Sequence, residues 1–175
     1  MADLAGRLAV VVVLSGLMAT PVCAQTGPDA GDEIAGKGEV IDGRTVSVGG
    51  TVVTLWEMES PSVSQRCLRQ GEPWECGLAA REHLADIVRG GELACSVKRA
   101  ATATEPPSAR CYLGYSDIAA ALIDRGYATA LEVWKSPYKQ NHREARGSNR
   151  GIFSGLFTPP ADWRRGQRMP GLEAD

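Results

Sequence analysis

Histidine and phenylalanine each occur only twice in this 175-residue chain, and aromatic residues make up just 6% of it. With only His83 and His142 available, neither a zinc cluster nor a nucleophile–histidine spacing can be assembled, and both read as surface or packing residues. Aromatics this sparse do not suggest a base-stacking platform, so Trp56 and Trp74 are assigned to core or loop packing. A large excess of one charge is also missing: the formal net charge is -2, with 43% apolar and 23% charged residues, which excludes a disordered chain. Long apolar runs are absent too. The longest, Leu8 to Met18, covers about 11 residues, fewer than the roughly 17 to 25 needed to span a bilayer as a helix.

That run follows Arg7 and leads into Thr20-Pro21-Val22-Cys23-Ala24, the layout of a secretory signal peptide occupying residues 1–24. Val22 and Ala24 then sit at positions -3 and -1 of a cleavage point before Gln25. Lipidation of Cys23 is the weaker reading, because Pro21-Val22 is not the small-residue pair that usually precedes a lipidated cysteine. The expected location is outside the cytoplasm, periplasmic or secreted. Cys67, Cys76, Cys95 and Cys111 remain, an even set in an oxidising compartment for which three pairings are formally possible.

Charge is distributed unevenly. Residues 25–133 carry a net -6, residues 134–168 a net +6, and Glu173 and Asp175 the remaining -2. Residues 25–36, rich in Gly, Pro and acid, read as a flexible lead-in, so structure is expected from Lys37. Val40-Ile41 opens a strand that Asp42-Gly43 bends. Thr45 to Val48 then alternates into Gly49-Gly50, a two-residue hairpin signal, and Thr51 to Trp56 returns.

Apolar residues at Ala80, Leu84, Ile87 and Val88 predict a helix over 77–88 with Gly90-Gly91 as its stop. Two antiparallel strands follow, around Leu93–Val97 and Ala109–Tyr115. Next come a short helix from Asp117 to Asp124 capped by Ser116, with Ile118, Ala121 and Leu122 facing inward, and a short strand within 127–133. A last helix starts near Tyr138. Residues 158–175 read as an irregular basic, Pro-containing tail, and no repeat or second domain is evident. Cys67 and Cys76 bracket a short step and Cys95 and Cys111 lie on strands expected to pair, so the favoured bridges are Cys67–Cys76 and Cys95–Cys111.

Short strands with one inserted helix and one closing helix suit a five-stranded OB-type barrel, an α+β class. Several words then narrow the field: Val40-Ile41-Asp42-Gly43-Arg44-Thr45, Leu55-Trp56-Glu57-Met58-Glu59-Ser60-Pro61, Ala79-Ala80-Arg81, Ala109 to Gly114, Leu122 to Ala128, Glu144-Ala145-Arg146 and Arg150-Gly151-Ile152-Phe153. In this order they resemble the staphylococcal nuclease-like (thermonuclease) family over about residues 38–157, within a domain of 37–157.

The resemblance implies calcium-dependent phosphodiester hydrolysis. That chemistry needs carboxylates for a hard cation, a carboxylate to activate water, and arginines to neutralise the phosphate. Matched position by position, this chain departs from it. Arg44 stands where the family has its second metal-binding aspartate, and Asp42 where it has the first. Thr54 replaces an essential arginine, Glu59 replaces an aspartate one carbon shorter, Ser62 replaces the base glutamate, and Pro106 falls at the second arginine. Losing one preorganised group costs about 100- to 1000-fold in rate, so several losses together predict a catalytically degenerate member. Arg44 is expected to pair with Glu59 or Asp42 and fill the metal pocket, leaving no cofactor, with Asp42 and Glu59 as residual carboxylates.

Lys139, Arg143, Arg146 and Arg150 are spaced by four, three and four, so they form a stripe on the last helix that could hold a nucleic-acid backbone, helped by Arg164, Arg165 and Arg168. The bland version is a solvated helix face. The leading expectation is an exported, monomeric binding or interaction module for nucleic acid or another envelope protein. The alternatives are an active nuclease using calcium with Asp42, Glu57 and Glu59, and a structural piece of an envelope assembly.

Overall fold

A computed structural model describes residues 27–170 and Leu172, so the signal-peptide reading of residues 1–24, Cys23 included, lies outside the described residues. The elements run β1 (Glu33–Val40), β2 (Thr45–Val48), β3 (Thr51–Leu55), β4 (Met58–Glu59), β5 (Cys67–Arg69), β6 (Glu72–Trp74), α1 (Cys76–Val88), β7 (Glu92–Arg99), β8 (Ser108–Leu113), β9 (Ser116–Asp117), α2 (Ile118–Asp124), β10 (Thr129–Ala130), α3 (Lys139–Gly147) and α4 (Pro160–Arg164), with a single 3-10 turn at Gly151–Ser154.

Strands β3-β2-β1-β7-β8 are hydrogen-bonded in that order, and a parallel β3–β8 pairing closes them into a five-stranded mixed barrel of OB-like, α+β class. The inward alternation of Val46, Val48, Val53 and Leu55 fills the barrel, and Leu93, Val97 and Ala109 meet them from β7 and β8. Gly49 and Gly50 both have positive φ, as the tight β2–β3 turn requires. Helix α1 buries the expected Ala80, Leu84, Ile87 and Val88. Among the described residues no helix is long and apolar enough to cross a membrane.

Both favoured disulfides are present, Cys67–Cys76 and Cys95–Cys111. Cys95 and Cys111 are direct cross-strand partners in the β7–β8 ladder. Two disulfides suit a chain that works in an oxidising, extracytoplasmic space.

Several elements depart from the sequence reading. Strand β1 starts at Glu33, inside the supposed lead-in, because its first half pairs with β7 from Glu33↔Ser96 to Lys37↔Glu92 while its second half pairs with β2. Ladder bonds and the packing of Ile34 on the core override the weak strand preference of Gly and Glu there. Residues 67–74 are a hairpin rather than a loop, turning at Gln70-Gly71 where both φ values are positive. Asp117, not Ser116, caps α2, accepting from the amides of Ala119 and Ala120 at 3.0 and 3.2 Å, while Ser116 pairs in β9. Along α2 the buried set is Ile118, Ala119, Leu122 and Ile123, with Ala121 only half-buried. The tail is not wholly irregular: Pro160 begins α4, a first-turn position that suits its missing N–H, and Trp163 is buried.

Gly126 and Gly151 bring the end of α2 against the turn after α3. The amide of Ile152 donates to the Gly126 carbonyl at 2.9 Å, and both glycines have positive φ. A Cβ on either would lie within 2.3 Å of backbone oxygen. The two words that contain them, Leu122–Ala128 and Arg150–Phe153, are therefore one piece of tertiary structure.

Candidate functional site

Asp42 sits at the bend between β1 and β2. Its Oδ1 accepts from the amides of Arg44 and Thr45, both at 2.8 Å, so the bend holds itself. That turn aims the Arg44 side chain across the barrel mouth, where Nη1 lies 3.5 Å from Glu59 Oε1 on β4 and Nη2 lies 4.0 Å from Glu105 Oε1. Arg99 at the end of β7 reaches Glu105 in turn, at 3.6 Å.

The other oxygen of Glu59, Oε2, contacts the Arg164 guanidinium, which α4 delivers from the far end of the chain. Arg164 Nη1 also donates to the Ser60 carbonyl at 3.4 Å. The result is an alternating row, Arg164, Glu59, Arg44, Glu105 and Arg99. Glu59 is the most buried member, with 14% of its side chain exposed. Burial, followed by repulsion from Arg44, lowers the pKa of Arg164 to about 10, so it keeps its charge at neutral pH.

Positions chosen from the sequence converge here. Asp42, Arg44, Thr54, Ser62 and Pro106 line one pocket of about 190 Å³ together with Arg164. Glu59 lines an adjoining gap with Arg44 and Trp56. Thr54 is buried and committed to barrel closure, its amide donating to the Pro107 carbonyl at 2.9 Å and its Oγ1 to the same oxygen at 3.3 Å.

These residues do not fit calcium. A hard dication needs six to eight oxygens, yet Asp42 has one carboxylate oxygen engaged by two amides and both oxygens of Glu59 face guanidinium groups. Among the described residues no group of three or more His, Cys, Asp or Glu side chains could hold a metal.

The basic stripe divides. Lys139, Arg143 and Arg146 follow one face of α3 and make no ion pair or side-chain hydrogen bond among the described residues. Arg150 lies beyond the helix, with Nη1 bonded to the Asp124 carbonyl at 2.9 Å. The expected helpers are engaged elsewhere: Arg164 with Glu59, Arg165 with Asp162, and Arg168 over the Trp163 ring at 3.6 Å.

His142 and His83 are packing residues, as expected. His142 accepts the Ala130 amide on Nδ1 at 3.2 Å, and burial, with Arg146 nearby, lowers its pKa. His83 stacks on Tyr127 at 3.8 Å between centroids, and burial followed by Arg125 lowers its pKa as well.

The pairing of Arg164 with Glu59 and the exposure of Trp134 escaped the sequence reading. Arg164 carries no local signal linking it to Glu59. Trp134 is 81% exposed beside α3 and lines a cleft with Arg143 and Arg146, a grouping that no local sequence signal marks. No protein-family model matches the chain, and no curated protein matches it.

Proposed function

We propose that this chain is an exported, thermonuclease-like barrel that does not hydrolyse phosphodiesters and works as a binding or interaction module. The observation that carries the reading is the enclosure of Glu59 between Arg44 and Arg164, which puts two cations where phosphodiester hydrolysis in this family calls for a metal ion. The convergence of Arg44, Thr54, Ser62 and Pro106 on one pocket supports the position-by-position match from which the loss was read.

The test is cleavage of single-stranded and plasmid DNA with and without calcium, using the combined Arg44→Asp, Thr54→Arg, Ser62→Glu, Pro106→Arg chain for comparison. The wild-type chain is expected to cleave no faster with calcium than without it. Calcium-dependent turnover by the wild type would overturn the proposal. A calcium titration followed by tryptophan fluorescence is a second readout, since Trp56 borders the same gap as Glu59, and no response is expected.

A further inference from the structure

The surface beside α3 opens into a groove that shares no lining residue with the ion-paired pocket. It consists of two clefts of about 580 and 530 Å³ that have Val133, His142 and Arg146 in common and so run into one another. Trp134 stands at one end, 81% exposed, and Phe153 and Phe157 line the other. Several large apolar side chains are exposed among the described residues, and Trp134 is the one of them that lines this groove, next to Val133.

The charges on the rim are equally unmet. Arg143 and Arg146 make no ion pair and no side-chain hydrogen bond among the described residues; Arg66, Arg81 and Arg125 share that property but do not line this groove, whereas Arg44, Arg99, Arg110, Arg164 and Arg165 all face carboxylates. Tryptophan and arginine are the side chains that dominate binding energy at protein interfaces, and here they border one concavity of ligand size.

We propose that this groove is a docking surface for an acidic segment of a partner protein, in which an aromatic or leucine side chain packs on Trp134 over Val133 while flanking Asp or Glu carboxylates pair with Arg143 and Arg146. The proposal goes beyond the module reading by assigning the surface and the partner's chemistry. Charge distribution favours a peptide over a nucleic acid. A nucleic acid longer than the groove meets the rest of the molecule, whose residues 25–133 sum to -6, and like charge opposes it there. A short acidic segment confines its charge to the two arginines, each able to hold a carboxylate through paired N–H donors.

The experiment is selection of a random displayed-peptide library against the full chain, followed by affinity measurements on the enriched peptides. Trp134→Ala and the double variant Arg143→Glu, Arg146→Glu are the comparison proteins. Their substituted side chains are exposed, and an unchanged urea midpoint would verify their folding. Enriched peptides should carry Asp or Glu around an aromatic or leucine residue and should bind each variant about tenfold or more weakly.

The proposal is overturned by an absence of enriched peptides, by enrichment without acidic residues, or by affinity indifferent to both variants. It is overturned equally if a single-stranded oligonucleotide of matched charge displaces the peptides at lower concentration than they displace one another. None of these outcomes bears on catalysis. Calcium-dependent cleavage would remove the proposed function and leave the groove result standing.

Discussion

Arg44 Nη1 lies 3.5 Å from Glu59 Oε1, an ion pair between the bend after β1 and the two-residue strand β4. A cation supplied by the backbone turn of Asp42 faces the Glu59 carboxylate, and Arg164 meets the other oxygen of that carboxylate. In this geometry the carboxylate neutralises arginines instead of collecting a metal. The same ion pair makes the pocket part of the folding energetics, so its removal can be read as stability.

Glu59→Gln preserves side-chain volume while deleting the charge, leaving Arg44 and Arg164 near each other without it. Breaking a charged hydrogen-bonded pair this well covered should cost about 1 to 3 kcal/mol, allowing for the partial exposure of both arginines. Urea unfolding at unchanged m-value is the measurement. A variant as stable as the wild type would mean that solvent already screens the pair.

Acid should weaken the fold before the carboxylates titrate. His142 and His83 both have pKa values lowered below 6.5 by burial, so near that value the unfolded chain binds protons that the folded chain refuses. Their contribution is complete above the unfolded value and is lost as pH falls toward the lowered folded values. The urea midpoint is therefore expected to decline as the pH falls below about 6.5, and His142→Gln should flatten part of that slope. A slope identical in the variant would remove His142 from the account.

Each disulfide should contribute through the loop it closes. Cys95 and Cys111 are 16 residues apart and Cys67 and Cys76 are 9, so replacing each pair by alanine should cost about 3 and about 2.5 kcal/mol respectively in the chain-entropy treatment. Alkylation of the unreduced, denatured chain should leave these four cysteines unlabelled. Stoichiometric labelling of any of them would contradict the pairing.

Gly151→Ala and Gly147→Ala should behave oppositely. A Cβ at Gly151 falls 2.3 Å from the Gly126 carbonyl oxygen at a positive φ, and both chains there are backbone, so a loss of about 3 kcal/mol or more is expected. Gly147 ends α3 with open space around the added methyl, and alanine there should be neutral or stabilise by up to about 1 kcal/mol. Thermal unfolding of the two variants compares them directly.

Much of the barrel was legible because its causes are local. Gly49-Gly50 sets a turn within two residues, and the spacing of Ala80, Leu84, Ile87 and Val88 sets the buried face of α1 within three helical turns. The Cys95–Cys111 bridge followed from expecting its two strands to be neighbours. The start of β1 was misread because Glu33 and Gly36 favour no strand in isolation and become one only against β7. The hairpin at Gln70-Gly71 was missed because its strands are three residues each, too short for alternation to register.

The candidate site divides along the same line. Sequence alone singled out Arg44, Thr54, Ser62 and Pro106 as one set, because their places could be counted from the short words around them. The pairing of Arg44 with Glu59 or Asp42 was expected from the sequence, whereas tertiary structure alone decided that Arg164 would join it at Glu59. Arg164 looked like one more charge in a basic tail, 104 residues from Ser60, yet the burial of Trp163 and the bond from Gln65 Nε2 to the Thr158 carbonyl at 2.7 Å anchor α4 where its guanidinium reaches Glu59. It also decided that Trp134 stays outside the core. Spacing along a chain reports only the nearest few residues, whereas an ion pair or an exposed indole is set by which distant segment packs beside it.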